Sequence, residues 1–373
     1  MPQLPPLTQQ DCAYFDYVEG LKVYNYTRHV KQLLEKYEEK AGRFKEKNGY
    51  PPSTMNEAAT LIEPEPLYQF ACGVQHNAQH LMWAAGTDSL KPYRKKILAQ
   101  MDELKPANPL GQLELHPDMD LPAWYVEHDI HLTPGGYWGD EMLGAIYQRS
   151  VSMYSTCWRR GRSPQALIAY SRSAPKRDYR RILDMGCSLG GSTMALRRAY
   201  PEATEIVGID LSAAALRWAH LTAEEQGLQI TFSQRNAAET GYLAESFDLI
   251  SAFLLLHEEP PEVVDQTLRE VFRLLRPGGH VMFLEAPRYA VLKPEIAFLQ
   301  DFDTRGNGEP FWGPFLTRDL PAMLRQTGFV NVEEGPLDFD EPNYWGSAAL
   351  MRTGEFQAHN RWVTRGDKPP VEG

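Results

Sequence analysis

Residues 180–212 read RRILDMGCSLGGSTMALRRAYPEATEIVGIDLS, and the fold follows from how that stretch parses. An apolar run ends in the acid Asp184, a turn built on Gly186, Gly190 and Gly191 follows, and then comes a helix-compatible segment. A second apolar run over 206–209 ends in another acid, Asp210. The spacing predicts strand, loop, helix and parallel strand, because two parallel strands need a crossover of about a dozen residues or more. Both strands finish in a carboxylate, and the glycines let the main chain approach a ligand closely. Ligands of open α/β sheets lie just beyond the carboxyl ends of the strands. A nucleoside-containing cofactor is therefore the first expectation.

The alternation continues downstream. Residues 213–226 read as a helix stopped by Gly227, 229–232 as a short strand, and 247–255 as a strand apolar enough to be buried on both faces. An amphipathic helix over 262–275 ends at Arg276-Pro277-Gly278-Gly279, and the strand over 280–284 is closed by Glu285. A Pro-, Gly- and aromatic-rich insertion over 287–316 interrupts the pattern as a lid would. A helix over 320–326 and two last strands, 329–333 and 348–352, complete it, leaving a polar, loosely held tail from 354. Upstream, KQLLEKYEEKAGRFKEK (31–47) has helix formers and mixed charges at helical spacing, NGYPPS (48–53) is turn chemistry, and 54–105 hold further helices. Residues 106–122 form a Pro-punctuated connector. The expected organisation is a mostly α-helical region over 1–130, acting as cap or dimer interface, and an α/β domain over 131–353 with helices on both faces of its sheet.

The glycine turn narrows the cofactor. The dinucleotide fingerprint G-x-G-x-x-G needs its second glycine where Ser188 stands. The run from Asp184 through Gly186 to Gly190 instead has the form D-x-G-x-x-x-G. Here the chain resembles class I S-adenosylmethionine (SAM)-dependent methyltransferases, most of all the branch containing ubiquinone and menaquinone biosynthesis enzymes. The resemblance runs on in order through Asp210, through Asn236 in RNAAE, through FDLI (247–250) with SAFLLLHE, and through LLRPGG (274–279). It covers roughly residues 180–286 and neither the N-terminal region nor the insertion. It implies a Rossmann-like, seven-stranded sheet, with SAM held by Asp184, Gly186, Ser188, Gly190, Leu211 and Ala237, by Asp210 at the ribose and by Asn236 at the adenine. The family commonly has Asp where this chain has Asn236, yet a neutral amide still donates and accepts at adenine. Asp184 has two readings, a ligand of the cofactor's amino group or a brace of the turn. Tyr147 precedes the first strand in a region that often folds over the cofactor; core packing is the alternative.

Composition limits the partners. A net charge of −11 argues against a phosphate backbone, which depends on clustered Lys and Arg. The four cysteines are scattered without a CxxC pair, so neither a disulfide framework nor a thiolate zinc site is expected. The N-terminus lacks a secretory pattern and no apolar run is long enough to span a bilayer, so a cytoplasmic setting is the expectation.

Methyl transfer from a sulfonium needs placement in line, plus a base if the acceptor must lose a proton. His257 and Glu258 follow the fourth strand of the resembled sheet, at the edge where chemistry should occur, as base or substrate contact, or else as loop caps. His128 and His131, in EHDIHLTPGGYWGD (127–140), are further candidates, unless that loop only satisfies its own hydrogen bonds. Tyr137, and in the insertion Arg288, Tyr289 and Trp312, are candidate acceptor contacts, Arg288 for a carboxylate-bearing acceptor. His76 and His80 share a helix face, but HNAQH lacks the Glu of H-E-x-x-H, so no metal is expected. A nicotinamide-dependent oxidoreductase and a non-catalytic SAM-binding scaffold are the competing functions. The acceptor is expected to be a small molecule, with its O, N, C or S nucleophile open.

Overall fold

The computed structural model describes residues 3–151, 164–337 and 361–371. Eight strands make one sheet: β1 (Gln112–Glu114), β2 (Arg181–Met185), β3 (Glu205–Asp210), β4 (Thr231–Gln234), β5 (Phe247–Phe253), β6 (Leu275–Glu285), β7 (Val330–Pro336) and β8 (Trp362–Asp367). Their spatial order is β1-β4-β3-β2-β5-β6-β8-β7. Pairing is parallel from β1 across to β6, while β8 runs antiparallel to both β6 and β7. From β2 the chain winds outward through β3 and β4, then returns to the other side of β2 with β5 and β6. Strand order thus reverses between β2 and β5, and such a switch opens a crevice at the carboxyl ends. Ile182, Leu183, Leu249 and Ile250 are fully buried, as central parallel strands covered on both faces require.

The N-terminal helices are α1 (Gln9–Tyr24), α2 (Lys31–Asn48), α3 (Met55–Ile62), α4 (Pro66–Leu90) and α5 (Arg94–Glu103). Thr8 and Thr54 open α1 and α3 in reciprocal capping boxes with Asp11 and Glu57, so two orphan N–H groups are satisfied at each start. Then follow α6 (Ala123–Val126), α7 (Leu143–Val151), α8 (Pro164–Ser171), α9 (Gly191–Ala199), α10 (Ala213–Glu225), α11 (Pro261–Leu274), α12 (Pro294–Asn307), α13 (Trp312–Leu316) and α14 (Leu320–Thr327). Helix α4 packs on α1 and α7, and α12 lies against α3 and α4. Phe15, Met82 and Trp83 share one core with Ile146 of α7 and Trp218 of α10, which joins the N-terminal helices to the sheet layer.

The sheet departs from the sequence reading at both edges. The segment 348–352 lies outside the described residues, and the expected loose tail contains β8 instead, paired from His280↔Asp367 to Glu285↔Trp362. Arg365 and Asp367 disguise this strand by breaking its apolar alternation. Both are satisfied at the sheet: Arg365 donates to the Ser173 carbonyl at 2.7 Å, and Asp367 lies 2.8 Å from His280 Nδ1 and 2.9 Å from Arg177. The connector over 106–122 contains β1, which adds an eighth strand to the seven expected; the Leu110 and Gly111 N–H groups in front of it donate to Glu224. No helix among the described residues is long and apolar enough to cross a membrane.

Candidate active site

The crevice at the switch point opens into a cavity of about 350 Å³. Its floor is the glycine turn. Gly186 has φ 65, and a Cβ there would fall 2.6 Å from Leu255 Cδ1; Gly190 has φ 75, and a Cβ would fall 2.9 Å from Phe232 Cζ. Between them Ser188 holds φ 49 and donates its N–H to Asp210 Oδ2 at 2.9 Å, while Ser212 N–H donates to Asp210 Oδ1 at 2.8 Å. Each oxygen keeps a second acceptor position, and the carboxylate lines the cavity, which suits a cis-diol. Burial pushes the Asp210 pKa up against the pull of these donors. Leu211, Asn236 and Ala237 continue the wall; Asn236 Oδ1 accepts from Ala238 N–H at 3.0 Å, leaving its NH₂ to donate. Tyr137 and Tyr147 line the opposite approach with ring centroids 6.1 Å apart, and Ser212 Oγ donates to the Tyr137 carbonyl at 2.6 Å.

Two residues expected at the cofactor do not line the cavity. Gly190 serves the start of α9. The fully buried Asp184 carboxylate accepts from Ser192 Oγ at 2.6 Å, Thr193 Oγ1 at 2.7 Å and Ser251 Oγ at 3.1 Å. Asp184 therefore braces the β2–α9 junction against β5, through hydroxyls rather than backbone N–H groups. Burial lifts its pKa to about 6.

The other half of the cavity is built where β5 and β6 end side by side. Leu254 leaves β5 with φ 59 and begins a short turn that presents His257 and Glu258. Glu285, at the end of β6, accepts from the N–H groups of Leu255 at 3.1 Å and Leu256 at 2.8 Å through Oε1. Its Oε2 lies 2.5 Å from His257 Nδ1. His257 Nε2 is 3.6 Å from Glu258 Oε1, outside hydrogen-bond range, so that nitrogen stays available. Glu258 Oε1 pairs instead with His131 Nε2 at 2.8 Å, and His131 Nδ1 lies 3.5 Å from Glu309 Oε1. Burial opposes charge on His257, yet Glu285 and Glu258 outweigh it and hold its pKa well above the ordinary value. The same balance, with Glu258 and Glu309 as partners, raises His131 to about 9. Burial raises Glu309 to about 7.

His131 has φ 58, its carbonyl accepts from Gln79 Nε2 at 2.9 Å and Trp83 Nε1 at 2.7 Å, and its N–H donates to the Gly308 carbonyl at 3.1 Å. One residue thus joins α4, the 127–140 loop and the end of α12. His131, Ser188 and Leu254, all non-glycine residues at positive φ, line the same cavity. Such strain persists only where the surroundings over-determine it, and it concentrates at functional sites.

The remaining candidates separate. Trp312 lines the cavity with its ring edge on His257, centroids 4.4 Å apart. His128 does not; it stacks on Phe311 at 5.2 Å. Arg288 lies outside the cavity, with both Glu334 oxygens and Asp319 Oδ2 occupying its guanidinium, so it is not available to an acceptor carboxylate. Tyr289 is buried outside the cavity and donates to Asp301 Oδ1 at 3.2 Å. His76 and His80 approach to 3.2 Å between Nε2 atoms on α4, and no group of three or more His, Cys, Asp or Glu among the described residues could hold a metal ion. Sequence reasoning missed Glu285 as a partner of His257, although it was visible as a strand-end acid. It missed Glu309, and Tyr26 and Trp83 from the N-terminal helices, for which the sequence carries no signal.

A doubly wound sheet with a ribose-ready carboxylate at its switch point and no second glycine for a pyrophosphate defines the class: an α/β enzyme built around a nucleoside cofactor. Residues 182–279 match the family model described as a methyltransferase domain. A demethylmenaquinone methyltransferase from Lactobacillus johnsonii is 32% identical over 40% of this chain and 68% of its own length. A reducing polyketide synthase of Botryotinia fuckeliana is 25% identical over 60% of this chain, which spans only 9% of that protein. A solved structure titled PigF with SAH covers 97% of this chain and 100% of its own, at 18% identity and a TM-score of 0.47. The chain belongs to the class I SAM-dependent methyltransferases, in the branch that includes the demethylmenaquinone methyltransferases. That membership replaces the nicotinamide oxidoreductase reading, and the cofactor is SAM.

Proposed function

We propose that the chain methylates a small acceptor whose reacting atom must give up a proton, and that His257 takes that proton. The observation that carries this reading is the Glu285–His257 contact at the cavity wall: Nδ1 is engaged at 2.5 Å while Nε2 has no hydrogen-bonding partner at Glu258. A carboxylate on one ring nitrogen fixes the tautomer, orients the ring and supports the imidazolium that forms when the other nitrogen accepts a proton. Bound SAM supplies an electrophilic methyl and, as a sulfonium, a positive charge that favours the neutral form of a nearby imidazole. The chain's own residues do the rest. Asp210, Asn236 and the glycine turn fix the donor, Trp312 packs against the base, and Trp83 and Tyr26 from the N-terminal helices help to close the cavity. We read those helices as a cap over the site.

A thiolate or thioether acceptor needs no base, so a buried carboxylate–imidazole pair favours hydroxyl, amine or acidic C–H acceptors. Demethylmenaquinone methyltransferases and polyketide synthases among the relatives are consistent with acceptors of small or medium size. The test is a SAM-consumption screen over acceptors sorted by nucleophile atom. The expected outcome is turnover confined to phenols, amines or β-dicarbonyls; turnover confined to thiols would remove the base from the mechanism.

A further inference from the structure

The acceptor side of the cavity holds polar atoms that methyl transfer leaves unused. Helix α12 places Ile296, Gln300, Asp303, Thr304 and Asn307 on the cavity wall, a spacing that puts them on one helix face. The face is apolar at its start and polar toward its end, where Glu309 follows. Glu309 is 8% exposed, its Oε1 lies 3.5 Å from His131 Nδ1, and its Oε2 is buried without a hydrogen-bond partner. Gln300 Oε1 on the same wall is also buried without one. Asp303 is different: it accepts from Tyr26, from Gln75 Nε2 at 2.8 Å and from Asn307. Lys22 is engaged by Gln79 Oε1 at 2.7 Å.

We propose that Glu309 and Gln300 form a subsite for a cationic amine carried by the acceptor, separate from His257 at the reacting atom. The wall also holds two donors without partners, Trp312 Nε1 and His131 Nδ1, the latter 3.5 Å from Glu309 Oε1; Glu309 Oε2 and Gln300 Oε1 are acceptors, and what they lack is a donor. The charges around Glu309 are His131, His257 and Lys22 against Glu258 and Asp303, with Glu285 paired to His257 at 2.5 Å. Adding Glu309 leaves the carboxylates one ahead, which an ammonium balances and a hydroxyl does not. A buried acceptor oxygen without a donor costs stability, and at a cavity wall a ligand's N–H can supply what the protein does not. Leu292, Ile296 and Trp312 line the same cavity and fit the apolar body of such an acceptor. The assignment rests on the methyl-transfer reading, since it is the acceptor of that reaction that brings the amine.

The test is calorimetric titration of protein loaded with S-adenosylhomocysteine. The probes are tyramine, 4-propylphenol, in which a methyl replaces the ammonium, and 3-(4-hydroxyphenyl)propionate. Tyramine is expected to bind at least about tenfold tighter than either, in keeping with a charge-assisted hydrogen bond in a buried site. Glu309→Gln should abolish that preference without weakening S-adenosylhomocysteine binding, and Gln300→Met should reduce it several-fold. Equal responses to tyramine and 4-propylphenol, absence of response to both included, overturn the proposal, as does a preference that survives Glu309→Gln. Failure of the transfer reading would show elsewhere, as turnover that His257→Ala leaves intact, because these titrations involve no transfer.

Discussion

His257 lies between two carboxylates, and that fixes how the proposed base responds to pH. A pKa held above the ordinary histidine value means that the neutral, proton-accepting form is scarce at low pH and grows as pH rises. The rate should therefore climb with pH to a plateau. Glu258→Gln removes one of the two charges that hold the proton, so the acidic limb of kcat/KM against pH should move to lower pH; an unmoved limb would place the titrating group elsewhere. At the cofactor, Asp210→Ala removes a charged acceptor worth about 1.5–3 kcal/mol per hydrogen bond, so SAM affinity should fall at least about tenfold by calorimetry. Asp210, Gly186 and Ser188 were legible because glycine spacing and strand-end acids are local patterns. Asp184 belongs to the same pattern, but its partners Ser192, Thr193 and Ser251 come from α9 and β5, and only tertiary structure shows that three hydroxyls already engage its carboxylate.

At the scale of elements, the glycine turn is tightly constrained. Gly190 combines φ 75 with Phe232 Cζ at 2.9 Å and Ala219 Cβ at 3.0 Å from where a Cβ would sit. Gly190→Ala should cost on the order of 1–3 kcal/mol through left-handed backbone strain and overpacking, read as a lower melting temperature in calorimetry. An unchanged melting temperature would mean that α9 can shift away from Phe232. The parallel strands from β2 to β6 were legible since each is an apolar run with its own stop, whereas β1, three residues long, was hidden in the Pro-punctuated connector. The pairing of His257 with Glu285 was not, because it depends on β5 and β6 being neighbours that end in register, Phe253 beside Leu284. Strand β8 was hidden for a different reason: its charged residues are satisfied by Arg177, His280 and Ser173, which lie far away in sequence.

Across the whole molecule, His131 ties the N-terminal helices to the α/β layer and to the insertion. Burial alone would depress its pKa, but Glu258 and Glu309 raise it to about 9, above the value of about 6.5 for an unfolded histidine. A group whose pKa rises on folding stabilises fully below the unfolded value, and that contribution is lost as pH rises through the folded one. The melting temperature should therefore fall between about pH 6.5 and 9, and His131→Asn should flatten the curve across that window; an equally steep curve in the variant would assign the loss to another group. The central claim is that His257, oriented by Glu285, removes a proton from the acceptor. Its most direct measurement is SAM turnover by His257→Ala on an acceptor that the wild type methylates, with SAM affinity measured in parallel. We predict a loss of about 10²–10⁴ in kcat with affinity within a few-fold of wild type. Turnover within a few-fold of wild type would contradict the account.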